Sequence, residues 1–346
     1  MPVSVSGSGS ISGLATGWLP DGTVTTADLA FDSGPLSGAR NRIINGDMRI
    51  DQRNAGASVT PNGVGQYLVD RFVFFATQNS KLTAQQNAGS ITPPAGFSNY
   101  LGFTSTSAYS ILSTDAFVVS QRIEGFNSAD FAWGTADAKT VSLSFWVRSS
   151  LTGLFGGALR NSDDTRSYVF SYSINSANTW EYKTILIPGA TSGTWATGNT
   201  PGIILIYGLA AGSSKSGTAG SWSTTTVSTA PDTITGSVSV VGTNGATWYI
   251  TGVQLEAGSV ATPFERRAYG AELALAQRYF QKVEWITTSL GGDGTYQNIG
   301  SLLVPMRANP TISSTYGDYT PVANNAFRQT NNLAFSGTQI SATAEL

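Results

Sequence analysis

The amino-acid sequence predicts an all-β fold: an antiparallel, jelly-roll-like sandwich with an extended N-terminal arm, one α-helix near residues 269–282 and a C-terminal β region. Three features lead there. Many short runs alternate apolar and polar residues with a period of two, as half-buried strands do. Clusters of Gly, Asn, Asp, Ser and Pro separate these runs. Small polar residues replace charged ones: Ser and Thr account for 83 of 346 residues, Gly for 39, and charged residues for only 12%, about half the share usual in a soluble domain. Hydrophobic residues still reach 40%, so the chain can build a packed core and lacks the signature of disorder.

Residues 1–39 read as the arm. They include the stretch SVSGSGSISG, which is flexible by composition, and Pro20-Asp21-Gly22, which reads as a tight turn. Trp18, Leu19, Leu29 and Phe31 are too few to build a core by themselves. An arm with such sparse apolar anchors gains order mainly from a surface it meets, so these four are the expected docking contacts.

Residues 40–267 read as the sandwich. In 140–149, Val141, Leu143, Phe145 and Val147 alternate with Ser142, Ser144, Trp146 and Arg148. Segments 178–188 and 246–255 follow the same pattern, and 67–75 and 117–125 are further strand candidates. The continuous apolar run 203–207 suits a strand covered on both faces. Asn62-Gly63, Asn161-Ser162-Asp163-Asp164 and Asn244-Gly245 supply turns. Residues 268–346 read as a helix followed by a C-terminal β region. Tyr269, Leu273, Ala276 and Phe280 fall at helical spacing, with Glu272 near the start and Arg278 and Lys282 near the end, as the helix dipole favours. Gln277 and Gln281 are expected to face solvent. Residues 283–346 bury little surface alone, so they are expected to pack on the sandwich or to complete a core with other copies of the chain.

Composition excludes whole classes of chemistry. Without His there is no Ser-His-Asp triad, imidazole base or His-ligated zinc, and without Cys there is no thiolate nucleophile, iron–sulfur cluster or disulfide. Asp163-Asp164 is the one adjacent acidic pair, and neighbours in a turn point apart, so no catalytic residue is assigned. No calcium-loop pattern occurs, and no metal or cofactor is expected. With 19 basic and 21 acidic residues, the chain lacks the basic surface that nucleic acid requires. The longest apolar run, 202–212, is about half the ~20 residues that span a bilayer, so no membrane insertion is expected. The N-terminus lacks a signal-peptide pattern, and an exported role implies another route out of the cell, such as lysis.

The aromatic residues suggest a binding surface. Trp133, Trp195 and Trp222 lie in loops of Gly, Ser, Thr and Ala. An exposed ring stacks on the apolar face of a sugar while nearby small polar residues satisfy its hydroxyls. Loops 189–201 and 212–231 carry Trp195 and Trp222 and are expected to converge at one end of the sandwich. The competing role for each ring is to pin its own loop. Trp180 and Trp248 are expected to cap the core, and the alternation puts Trp146 on the open face of its sheet or under a loop.

Several segments together resemble bacteriophage tail-fibre and related virion proteins. The first is Asn41-Arg42-Ile43-Ile44-Asn45-Gly46-Asp47-Met48-Arg49-Ile50, followed by Gln52-Arg53 and Val69-Asp70-Arg71-Phe72. The second, 141–148 with 156–161 and 178–181, resembles the sandwich strands of carbohydrate-binding modules. The third runs from Trp248-Tyr249-Ile250-Thr251-Gly252-Val253-Gln254-Leu255-Glu256 through Pro263-Phe264-Glu265-Arg266-Arg267 into the helix, where Ala276 stands at a position the family often fills with Cys. Val304-Pro305-Met306-Arg307-Ala308-Asn309-Pro310-Thr311 and the closing Ala344-Glu345-Leu346 also fit. On the residues themselves, Asn45-Gly46-Asp47 reads as a turn, and Glu265-Arg266-Arg267 beside Glu256 as an arginine–carboxylate clamp at the sandwich exit.

The resemblance implies a non-enzymatic, homotrimeric fibre carried on the virion, made in the host cytoplasm. Its arm would dock on a tail or head structural protein, and its body would contact a host-surface glycan. It leaves two rivals: a head fibre or tail adaptor with a purely structural role, and a capsular polysaccharide depolymerase.

Overall fold

Burial of the apolar half of each alternating run brings two antiparallel sheets face to face in the computed structural model, which describes residues 4–5, 11–12, 40–63, 65–223, 232–285, 299–314, 319–329 and 338–346. The docking anchors expected in the arm, Trp18, Leu19, Leu29 and Phe31, lie outside the described residues. The sandwich strands are β1 (Gln66–Val69), β2 (Phe72–Ala76), β3 (Leu82–Gln86), β4 (Leu101–Ser105), β5 (Ala116–Glu124), β6 (Val141–Ser149), β7 (Gly153–Arg160), β8 (Ser167–Ile174), β9 (Glu181–Ile187), β10 (Pro201–Ala211), β11 (Trp222–Ser223) and β12 (Thr247–Ala257). One sheet has the order β11-β8-β7-β10-β5-β2-β1 and the other β9-β6-β12-β4-β3. The chain passes repeatedly from one sheet to the other, the jelly-roll-like architecture that the sequence predicts.

The core lies between the sheets. Val141, Leu143, Phe145 and Val147 of β6 are all fully buried there, and β10 is buried along its whole length except at its ends. Phe145 packs edge-on against Tyr207 at 5.1 Å, and Trp248 lies 6.0 Å from Tyr207 and 5.9 Å from Phe103. Trp248 therefore sits inside the core, whereas Trp180 packs outside the five-stranded sheet with Tyr100 and Tyr249 and does not cap the core.

Two readings of strands change. Segment 67–75 is a hairpin, β1 and β2, because Arg71 adopts a left-handed conformation (φ 73°) and turns the chain at Asp70-Arg71. Strand β7, with sequence GLFGGALR, escapes the period-two pattern because packing requires its glycines: a Cβ on Gly157 would lie 2.0 Å from the Ile206 carbonyl oxygen.

The segments that carry the family resemblance meet in space. Asn41 donates from Nδ2 to the Val253 carbonyl (3.0 Å), and its Oδ1 accepts from the amides of Ile43 (3.0 Å) and Leu255 (3.1 Å). Asn45 is buried with φ 61° and donates to the Ile50 and Asp70 carbonyls at 2.8 and 2.9 Å. Arg267 donates to the Ile43 carbonyl (3.2 Å) and pairs with Glu272 (3.2 Å). The expected clamp thus exists with a different carboxylate. Glu256 accepts instead from the Thr262 amide (2.8 Å), the Thr262 hydroxyl (2.7 Å) and Gln254 (2.8 Å).

The helix α1 (Tyr269–Gln277) is shorter than the spacing suggests, because Phe280 opens a strand, β13 (Phe280–Trp285), whose partner lies about sixty residues on. The face that α1 buries carries Glu272, tied to Arg267, with Ala276 and Gln277, so the expected exposure is reversed: Tyr269 is 56% exposed, while Gln277 and, on β13, Gln281 are buried. Gln281 accepts from the Leu303 amide at 2.8 Å. The rest of the C-terminal region adds β14 (Ile299–Ser301), β15 (Thr311–Ser314), β16 (Tyr319–Ala323), β17 (Ala326–Gln329) and β18 (Thr338–Thr343), in two small sheets ordered β13-β18-β15 and β14-β17-β16. Their shared core includes Met306, Phe327 and Ile340. The region also packs on the sandwich. Arg278 pairs with Glu124 (2.9 Å), Asn199 donates to the Arg307 carbonyl (2.6 Å), and Glu345 pairs with Arg53 (2.9 Å) and with Arg71.

Candidate functional site

The two long loops do converge. Trp195 and Trp222 meet Trp133 at one end of the sandwich, with ring centroids 4.7, 5.3 and 5.5 Å apart and all three pairs edge-to-face. The rings satisfy one another rather than facing outward. Trp133 is buried and donates its indole N–H to the Lys139 carbonyl (2.8 Å). Trp195 and Trp222 are half-buried and donate to the carbonyls of Ser192 (3.2 Å) and Pro188 (2.8 Å). This is the geometry of loops pinned to a scaffold. The acidic turn is likewise occupied by its own chain: Asp163 accepts from Thr165 (2.7 Å), and Asp164 pairs with Arg160 (3.3 Å). Among the described residues no group of three or more acidic side chains is placed to hold a metal ion.

A different aromatic site lies on the outer face of the five-stranded sheet. The register of β9 against β6 puts Tyr182 directly opposite Trp146, and both side chains point away from the core because their neighbours in the alternation point in. Their centroids are 5.4 Å apart at 49°. The loop before β4 brings Phe97, anchored by the Thr251 hydroxyl on the Asn99 carbonyl (2.7 Å). The extended segment after β12 brings Phe264, whose ring meets Phe97 edge-on at 5.2 Å. Together with Gly252, Ala261, Thr262, Pro263 and Arg266, these four rings line a groove of about 470 Å³.

Its floor depends on a bulge. The register between β12 and β6 shifts between Thr251 and Gln254, and Gly252 adopts φ 63° there. A Cβ on Gly252 would lie 2.7 Å from the Phe97 ring and 3.2 Å from the Trp146 ring, so only glycine leaves the groove open.

The groove holds free donors. Trp133, Trp180, Trp195, Trp222 and Trp248 all donate their indole N–H within the protein. Among the residues whose side chains are described, Trp146 is the one tryptophan that does not, and the Tyr182 hydroxyl and the Arg266 guanidinium also make no hydrogen bond. Tyr182 is 45% exposed. Flat rings bordered by free N–H and O–H donors can stack on a planar or puckered apolar face and bond its hydroxyls. Among the described residues no Asp or Glu lines the groove, and glycosidic cleavage by acid and base requires a pair of carboxylates.

Electrostatic perturbations of polar groups also mark the place where the C-terminal region meets the sandwich. Burial raises the Asp70 carboxyl to about 6 against the opposing hydrogen bonds from Gln52 and the charge of Arg53. Burial likewise raises the Tyr279 phenol to about 12, beside Arg71, whose guanidinium lies 3.5 Å over the same ring. Every carboxylate of this junction has a partner within the protein, Glu124 with Arg278 (2.9 Å) and Glu345 with Arg53 and Arg71, so its role is to hold the two parts together.

Sequence reasoning missed Phe97, Tyr182, Phe264 and Arg266 as parts of one site because three separate segments supply them. The one legible signal was Trp146, an aromatic ring among Ser142, Ser144 and Arg148 on the polar side of its alternation.

No family model matches the chain, and no curated protein is similar to it. Solved structures do show a likeness. The enzymatically active domain of tailspike protein 4 from bacteriophage CBA120 aligns over 63% of this chain and 21% of that one, with 11% identity and a TM-score of 0.35, so the chain spans about a fifth of that structure. A family 61 carbohydrate-binding module in complex with β-1,4-galactotriose aligns over 63% of this chain and 99% of that one, with 10% identity and a TM-score of 0.31. A family 11 carbohydrate-binding module from Clostridium thermocellum, in complex with a β-1,3-1,4-mixed-linked tetrasaccharide, aligns over 59% and 98%, with 13% identity and a TM-score of 0.28.

Proposed function

We propose that this chain is a non-enzymatic virion protein, a homotrimeric fibre of a bacteriophage, that attaches the particle to its host by binding a surface glycan in the groove over the five-stranded sheet. The arm, residues 1–39, docks the fibre on a tail or head structural protein. The observation that carries the binding role is the Trp146 groove: four rings around an open cavity, with an indole N–H, a phenol and a guanidinium that make no hydrogen bond within the described protein. Rigid strands hold Trp146 and Tyr182 in register, which is the preorganisation that a binding platform needs. The motif-level resemblance to tail-fibre proteins supports the virion assignment. The absence of carboxylates from the groove lining supports binding over cleavage there.

The test uses the full-length purified protein. Labelled protein is expected to adhere to host cells, and Trp146→Ala is expected to abolish adhesion while the fold is kept. Release of reducing ends from host polysaccharide would overturn the non-enzymatic reading in favour of a depolymerase. Adhesion that is absent in wild type, with normal incorporation into particles, would favour a purely structural head fibre or adaptor.

A further inference from the structure

We propose that the groove selects anionic saccharides and that Arg266 is the residue that reads their negative charge; this inference rests on the glycan-binding function proposed above. Three consecutive residues carry charge at this edge of the sandwich, and they divide. Glu265 accepts the Asn41 amide (2.7 Å) and lies 3.6 Å from Arg267. Arg267 pairs with Glu272 (3.2 Å) and reaches the Ile43 carbonyl. Arg266 between them points out. It is exposed, and among the described residues it makes no hydrogen bond and no ion pair.

Arg266 is nevertheless positioned. Its guanidinium carbon lies 4.6 Å from the centroid of Phe97 and 5.6 Å from that of Phe264. Stacking on aromatic faces holds the plane of the guanidinium and leaves its N–H edge free, the edge that takes a carboxylate in a bidentate fork. Gly96 (φ 84°) gives the group room, since a Cβ there would lie 3.1 Å from Nη2 of Arg266.

Arg266 also belongs to two cavities. It closes one side of the aromatic groove and lines a second cavity of about 490 Å³ with Asn41, Arg42, Asn127, Glu265 and Arg267. In that second cavity Arg42 is already paired with Asp130 at 2.6 Å, and Glu265 and Arg267 are tied to the fold as described. Among the described residues lining either cavity, the one charged side chain without an ion pair or hydrogen bond is therefore Arg266, whose charge also acts on the Asp47 carboxyl. An oligosaccharide with an acidic residue at Arg266 reaches the Trp146–Tyr182 rings on one side and the second cavity on the other. The ligand that fits is a chain of several sugars bearing carboxylates.

The experiment measures binding of full-length wild type, Arg266→Gln, Arg266→Lys and Trp146→Ala by calorimetry. The probes are fragments of oligogalacturonate, hyaluronan and polysialic acid, each beside its carboxyl-reduced counterpart. Wild type is expected to bind at least one acidic fragment ~10-fold or more tightly than its neutral counterpart, the scale of a charged hydrogen-bonded pair, with a preference that shrinks as salt rises. Arg266→Gln is expected to lose the preference and keep the weaker neutral binding. Arg266→Lys is expected to fall between, having the charge without the fork, and Trp146→Ala to weaken both members of the pair. Equal binding of acidic and reduced fragments, or a preference that survives Arg266→Gln, overturns the proposal and leaves glycan binding standing. Binding of no fragment of either kind overturns both. A Glu-rich octapeptide that binds at Arg266 while no saccharide does would also overturn the proposal and reassign the groove to a protein partner.

Discussion

Replacing Trp146 with Ala separates a binding ring from a packing ring, and the structure sets the size of each effect. A tryptophan presents about 200 Å², and Trp146 is half-buried, so truncation removes roughly 100 Å² of contact and costs about 2.5 kcal/mol of stability. Trp133 is only 7% exposed, is ringed by Phe131, Trp195 and Trp222, and donates to the Lys139 carbonyl. Its truncation leaves a cavity and an unmet carbonyl and is expected to cost about 3–5 kcal/mol. Affinity should order the other way. Loss of the central platform of a groove is worth about 2 kcal/mol or more, roughly 30-fold in Kd, for Trp146→Ala and nothing for Trp133→Ala. Trp146→Phe keeps a stacking face and loses the free indole N–H, so it should weaken binding by roughly 3–10-fold. Urea denaturation gives the stabilities, and calorimetry with the tightest saccharide gives the affinities. If Trp146→Ala binds as wild type does, or if Trp133→Ala loses affinity without losing stability, the assignment of rings to roles is wrong.

Two further perturbations probe the junction that ties the C-terminal region to the sandwich. Glu345→Leu strands Arg71, which is 2% exposed, and is expected to cost about 3–5 kcal/mol, whereas Arg71→Met combined with Glu345→Leu should cost far less than the two single changes added; urea midpoints of wild type, both single variants and the double show it, and additive costs would mean that the pair is not coupled. Asp70, raised from 3.8 to about 6, holds its proton more tightly folded than unfolded, so its contribution to stability is full below about pH 4 and is lost as pH rises through about 6. The stability of wild type relative to Asp70→Asn should therefore fall by about 3 kcal/mol between about pH 4 and pH 7, and a difference that does not change with pH would refute the buried state assigned to this carboxyl.

What was legible in the sequence was local, and what was hidden was contributed by partners distant along the chain. Strand β6 announces both its register and its buried face, because a period of two needs no information from elsewhere. Helix α1 is legible at its start, where Glu272 is tied by Arg267, and illegible at its end. The pairing of β13 with β18 stops it, and Gln281 is turned inward by the Leu303 amide. The loop tryptophans stayed between two roles for the same reason. Trp133, Trp195 and Trp222 each look exposed when read in a Gly- and Ser-rich loop, and only the meeting of three loops gives each ring a partner. Trp146 is the converse case. Its strand is unmistakable, but its value as a site depends on Tyr182, Phe97 and Phe264, which pairing register and two covering loops bring to it.

The run Glu265-Arg266-Arg267 shows how one short motif joins architecture to recognition. The segment after β12 is extended there, so successive side chains leave on opposite sides. Glu265 and Arg267 turn toward the segment that opens the sandwich and toward the helix, where Asn41, Ile43 and Glu272 receive them. Arg266 is thereby forced outward, onto Phe97 and Phe264. Its placement at the groove is a consequence of the two neighbours that lock the sandwich closed, with no scaffold of its own beyond the rings it lies on. A site built this way is rigid because the fold is rigid, and its charge can change without disturbing the junction beneath. On the proposed reading, that separation is what lets a sandwich held together by residues more than 200 positions apart in the chain place its ligand preference on a single exposed side chain.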